Sequence, residues 1–111
     1  MLTRNENNAF SSTDITPLSA KELYSYSMCA VNAEFVYLTG GNSARVYANC
    51  HRYDINRNQW EEIPSMKQAR RLHSSCQLAG FIYVFCGRNS DHDTINWVEK
   101  LCIDADPNVE V

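Results

Sequence analysis

From Leu23 onward the chain carries its apolar residues in runs of four to six, cut by Gly, Asn, Asp and Pro. That is the pattern of short strands and tight turns, and a helical period is absent from it. The runs SCQL and FIYVF, residues 75–78 and 81–85, are separated only by Ala79-Gly80. A two-residue link whose glycine can take positive φ predicts a tight hairpin. FIYVF is apolar at every position, so it is expected to be an interior strand covered on both faces. MCAV and EFVYL, residues 28–31 and 34–38, repeat the plan with Asn32 near the turn.

A polar loop follows each hairpin, at residues 42–45 and 88–93, and then a further strand candidate, at residues 48–55 and 96–104. Aligning Tyr53 with Leu101 and Ile55 with Ile103 gives a spacing of 48 residues, whereas FVYLTGG (35–41) recurs as FIYVFCG (81–87) at 46. The second loop is therefore two residues longer. The first copy continues into a turn and a fourth strand around Trp60; in the second copy ADPNVEV offers no counterpart. A period of nearly fifty residues with four strands per unit is that of β-propeller blades.

In the second copy Met66, Arg70, Leu78, Gly80, Tyr83 and Gly87, and in the first Gly40, Gly41, Tyr53 and Trp60, fall in the order of the kelch motif, which this chain resembles over about residues 23–104. Four departures stand out, one being that the second copy has no tryptophan corresponding to Trp60. Cys86 occupies the place of the first glycine of the pair, Tyr24 that of the first copy's arginine, and Leu101 that of a tyrosine. The resemblance implies an all-β, incomplete kelch-type propeller of about two antiparallel four-stranded blades, the second lacking its last strand. The expected organisation is a polar, flexible arm at 1–22, a first kelch-like repeat at 23–66 and an incomplete second at 67–111. Consecutive glycines let chains approach closely, and the Tyr and Trp rings fill the space between sheets. Blades of this kind depend on their neighbours for burial.

Composition narrows the function classes. At 111 residues, 44% hydrophobic and 21% charged, the chain is a small globular protein, and a net charge of -3 supplies no basic field for nucleic acid or an anionic membrane. No stretch approaches the ~20 apolar residues of a spanning helix, and MLTRNENNAF lacks the apolar centre of a secretory signal. The expected compartment is the cytoplasm, with the nucleus as the alternative. Five cysteines without a Cys-x-x-Cys pair predict reduced thiols.

Candidate chemistry is sparse. His73, Cys76, Cys86 and His92 are metal-ligand types, but their spacing fits no usual zinc pattern, and Cys76 and Cys86 are expected on paired strands as small buried hydrophobes. The acids of NSDHD, residues 89–93, read as a solvated turn, and no nucleophile sits in a recognisable elbow. No metal, cofactor or catalytic residue is therefore assigned, and an enzyme is not expected. Lys67, Arg70, Arg71 and His73 form a local basic cluster suited to carboxylates, with Arg70 expected in a structural pair between blades. The partner-binding candidates are Arg45, Arg71, Arg88 and His92, on the loops at 42–46, 67–73 and 88–94. The resemblance implies a protein-protein interaction module, in the extreme a substrate-recognition piece of a ubiquitin-ligase adaptor. Self-assembly through open blade faces as a homo-oligomer is the alternative, and a fragment of a propeller enzyme the third reading.

Overall fold

The computed structural model describes residues 9–12, 14 and 23–103. Seven five-residue strands make two antiparallel sheets: β1 (Ser27–Val31), β2 (Phe35–Thr39), β3 (Cys50–Asp54) and β4 (Gln59–Ile63) in one, β5 (Ser74–Leu78), β6 (Phe81–Phe85) and β7 (Val98–Cys102) in the other. Each sheet is ordered as the chain runs, so each is a meander built from hairpins. The polar arm expected at 1–22 lies mostly outside the described residues.

Side chains alternate between the two faces of a strand, and the register shows which face each sheet buries. Across the first sheet Ser27, Thr39, Cys50 and Ile63 stand in line. Val31, Tyr37, Cys50 and Ile63 from that face pack with Ile82 of the second sheet as the core, with Met66 and Leu101 half-buried against them. The sheets are also tied by polar contacts. Ser27 Oγ lies 2.7 Å from Ser75 Oγ, and the Gly41 N–H donates to the Arg70 carbonyl at 2.8 Å.

FIYVF forms β6, the middle strand of its sheet, but it is covered on one face rather than both. Ile82 and Val84 are buried, whereas Phe85 is exposed and shares its face with exposed Leu78 and Val98. The expectation of two covered faces fails because an apolar side chain marks a surface that packs, and among the described residues only one sheet packs there. Cys76 and Cys86 are corrected for the same reason: both are exposed, Cys76 on the open face and Cys86 just beyond β6.

The hairpins explain the spacing. Ala79 and Gly80 take φ of 53° and 84°, the backbone of a two-residue type I′ turn, whereas the first hairpin turns through three residues, with Asn32 at φ 56°. Equivalent strands therefore lie 47 residues apart at the first position (Ser27 to Ser74), 46 at the second (Phe35 to Phe81) and 48 at the third (Cys50 to Val98). The arginine position is corrected accordingly. Tyr24 bridges Asn42 as Arg71 bridges Arg88, so Leu23, not Tyr24, is the counterpart of Arg70.

Gly40 follows β2 at φ 57°, and a Cβ there would meet the Arg70 carbonyl at 2.5 Å and the His73 ring at 2.8 Å. The second unit's chain is seated against this glycine. Cys86 holds the equivalent place after β6 with φ 54°, in the left-handed region that disfavours a Cβ.

Candidate functional site

The loops at 42–46, 67–73 and 88–94 lie at one end of the two sheets. The backbone explains why: the segment entering β5 is hydrogen-bonded on one side to the first unit, through Arg70 N–H to the Tyr47 carbonyl at 3.2 Å, and on the other to the β6–β7 loop. Arg71 and Arg88 exchange both backbone hydrogen bonds, at 3.1 and 2.9 Å. This directly opposed pairing sets the two guanidinium-bearing side chains next to one another.

Residues 89–93 are folded around Asn89. Its side-chain carbonyl accepts the N–H groups of Asp91 and Asp93 at 2.9 and 3.0 Å, and its backbone carbonyl accepts that of His92 at 3.1 Å. An asparagine side chain closing such a loop leaves the acids of NSDHD on a solvated turn. His92, at φ 65°, is held twice: Arg88 Nη1 donates to its carbonyl at 2.8 Å, and Arg71 Nη2 donates to its Nδ1 at 2.6 Å. A guanidinium can only donate, so Nδ1 is the acceptor and the ring proton sits on Nε2. The cluster thus presents two guanidinium groups and an imidazole N–H on exposed loops.

Three of the four partner-binding candidates, Arg71, Arg88 and His92, come together in this cluster. Arg45 does not join it. Its guanidinium stacks over the Tyr47 ring, 4.7 Å from the centroid, in the equivalent loop of the first unit. In that unit the places of Arg71, Arg88 and Thr94 are taken by Tyr24, Asn42 and Val46, so the opposed pair of arginines belongs to the second unit's loops.

Beneath this end lies a buried polar layer. Arg70 is completely buried; Nη1 donates to the carbonyls of Cys86 and Trp97, both at 2.9 Å, and Nη2 to Glu99 at 3.0 Å. Its side chain is therefore bound within the second unit, which corrects the expected pair between blades; the backbone of Arg70 is what spans them. Glu99, which the sequence did not single out, also accepts the N–H groups of Lys67 and Gln68 at 2.6 and 3.1 Å. The only local hint of it is an acid inside the strand VEKLC. His73 is buried with its Nε2 2.7 Å from Thr39 Oγ1. Burial, and then the neighbouring Arg70 charge, lowers its pKa to about 4, against a smaller opposing contribution from Thr39.

Cys50 is buried and pushed up to about 11 chiefly by that burial, which leaves it an un-ionised thiol. Among the described residues no three His, Cys, Asp or Glu side chains converge as metal ligands. No helix of the described residues is long and apolar enough to cross a membrane.

Two meander sheets packed face to face around successive inner strands define a piece of a β-propeller. The chain is 44% identical over 75 residues to Kelch-like protein 22 of Xenopus tropicalis, covering 64% of this chain and 12% of that protein. It is 42% identical over 60 residues to Kelch-like protein 21 of Danio rerio, covering 53% and 10%, and 38% over 74 residues to human Kelch-like protein 22, covering 63% and 12%. The chain is thus similar to kelch-like proteins over more than half of its length. It spans about a tenth of the length of these curated relatives. No protein-family model matches it.

Proposed function

We propose that the chain is a protein-protein interaction module of kelch type whose partner docks on the Arg71–Arg88–His92 cluster. The observation that carries this reading is the pairing of Arg71 with Arg88 and the clasp of both on His92. Such a cluster forms on a rigid mount, and its fork-shaped donors suit the carboxylates of an acidic peptide segment. Role as the substrate-recognition piece of a ubiquitin-ligase adaptor is the finer form of the proposal, supported by the likeness to the Kelch-like proteins. Catalysis has no part in it.

Panning a random peptide library on the purified chain tests the proposal. Enrichment of Asp- and Glu-rich peptides, lost in Arg71→Glu/Arg88→Glu and weakened by salt, is the expected result. Peptides without acidic bias, or equal selection by the double variant, would refute it.

One observation favours the second reading, self-assembly. Leu78, Phe85 and Val98 form an exposed apolar face on the second sheet, 63%, 37% and 48% exposed. Sedimentation of the purified chain separates the two: a concentration-independent monomer removes self-assembly.

A further inference from the structure

Arg71 and Arg88 are directly opposed in their bridge, and like charges set opposite one another destabilise a strand pair unless something neutralises them. Nothing among the described residues does. The ion pairs there are Arg52 with Glu61, Arg57 with Asp54 and Arg70 with Glu99, so neither guanidinium of the cluster is matched by a carboxylate. Each holds a neutral group instead: Arg71 donates to the His92 ring and Arg88 to the His92 carbonyl. A guanidinium carries five N–H groups, so most of each fork is left for an incoming acceptor.

Two features decide the kind of anion. Both guanidinium groups converge on one residue, His92, so the unmatched charge is concentrated at a point rather than spread along a groove. The turn that carries His92 also carries Asp91 and Asp93, whose backbone N–H groups are tied to Asn89, and a run of Asp and Glu laid across it would set acids beside acids. A single compact dianion meets both conditions. A phosphorylated side chain brings close to two negative charges and three acceptor oxygens to one spot, enough to engage both forks. The net charge of -3 supplies no broad field for a polyanion such as nucleic acid or an anionic membrane, which favours a peptide carrying one such group.

We infer that the Arg71–Arg88–His92 cluster is a phosphoresidue-binding site, taking a phosphoserine or phosphothreonine of the partner segment. The inference rests on the proposed docking of a partner at this cluster and names what that partner brings. Arg71 and Arg88 grip the phosphate from two sides, so both are needed; a carboxylate, with one charge and two oxygens, is held more weakly by the same groups.

The probe is a peptide library with phosphoserine fixed at its centre and random residues on either side, applied to the immobilised full chain. The same library with glutamate or serine at that place, vesicles containing phosphatidylinositol phosphate, and inorganic phosphate alone form the other arms. Retention of the phosphoserine library about tenfold above the glutamate library, with none of the serine library, is expected. Arg71→Gln and Arg88→Gln each lower it about tenfold, and Arg88→Lys recovers only part, because lysine keeps the charge and loses the fork. A retained phosphopeptide titrated into the unaltered chain should move the arginine Nε–H signals of Arg71 and Arg88 and the amide signals of residues 89–93, a readout that needs no variant. Equal retention of the glutamate and phosphoserine libraries overturns this inference and leaves docking of an acidic peptide standing. Retention of both libraries unchanged in Arg71→Gln/Arg88→Gln, or of neither, overturns the two together. Binding only to the vesicles or to inorganic phosphate overturns the phosphopeptide site.

Discussion

Arg70 and Glu99 form an ion pair 3.0 Å apart at the base of the second sheet, with the guanidinium wholly out of solvent. The pair is the hub of the unit. Arg70 ties the end of β6 to the approach to β7 through two carbonyls, while Glu99 fixes the linker at Lys67 and Gln68. Removing one partner leaves a buried charge and several unsatisfied groups. Arg70→Met is expected to cost about 3–5 kcal/mol and Glu99→Gln somewhat less, measured by urea unfolding at neutral pH. Near-wild-type midpoints for both would show the hub to be dispensable.

Gly40 and Cys86 occupy equivalent places with φ of 57° and 54° but unlike surroundings. Cys86→Gly relieves the left-handed penalty and is expected to stabilise by about 1 kcal/mol, while Cys86→Val, β-branched at the same φ, destabilises. Gly40→Ala adds a steric clash with the Arg70 carbonyl to that penalty, so it should cost more than the about 1–2 kcal/mol of the backbone alone. Thermal melts of the three variants check the order; equal stability of Cys86→Gly and Cys86→Val would contradict it.

His73 makes stability depend on pH. Its folded pKa, about 4, lies below the ordinary 6.5, so between these values the unfolded chain holds a proton that the folded chain does not. Stability contributed by the neutral ring is thus present above pH 6.5 and is lost as pH falls toward 4, by about 2 kcal/mol at pH 5. Unfolding free energies at pH 7 and 5, compared between the wild type and His73→Gln, read this out. A pH dependence unchanged in the variant would assign the loss to other groups.

Ala79 holds φ 53° as the first residue of the tight turn, a conformation asparagine tolerates far better. Ala79→Asn is expected to stabilise by about 0.5–1 kcal/mol, read as a higher urea midpoint with an unchanged slope. A lower midpoint would mean that the Ala79 methyl makes a contact outweighing the turn.

Much of the fold was legible because strands and tight hairpins are local. Ala79-Gly80 announces its turn, and the 46- and 48-residue offsets of FIYVF and of Tyr53 with Leu101 follow from patterns within a few residues of each. The Leu23 equivalence was missed because a three-residue turn at Asn32 and a two-residue turn at Ala79 look alike in composition, and one residue of slip moves every upstream position. The half-open face of β6 was missed because an apolar run states what a strand can bury, not what covers it.

The candidate site divides in the same way. Arg71, Arg88 and His92 could be picked out as loop residues with suitable chemistry, whereas their assembly could not, since Arg71 and His92 are 21 residues apart in the chain. Glu99 depends on a still longer reach, 29 residues back to Arg70. The amino-acid sequence by itself determined the repeat, the strand identities and the kelch-type order, since these rest on periodicity and turn chemistry over short distances. Only the tertiary structure decided which guanidinium is buried and which is presented. That depends on the docking of one sheet on the other, in which the Gly41 N–H meets the Arg70 carbonyl and turns Arg70 inward beside Arg71 on the surface.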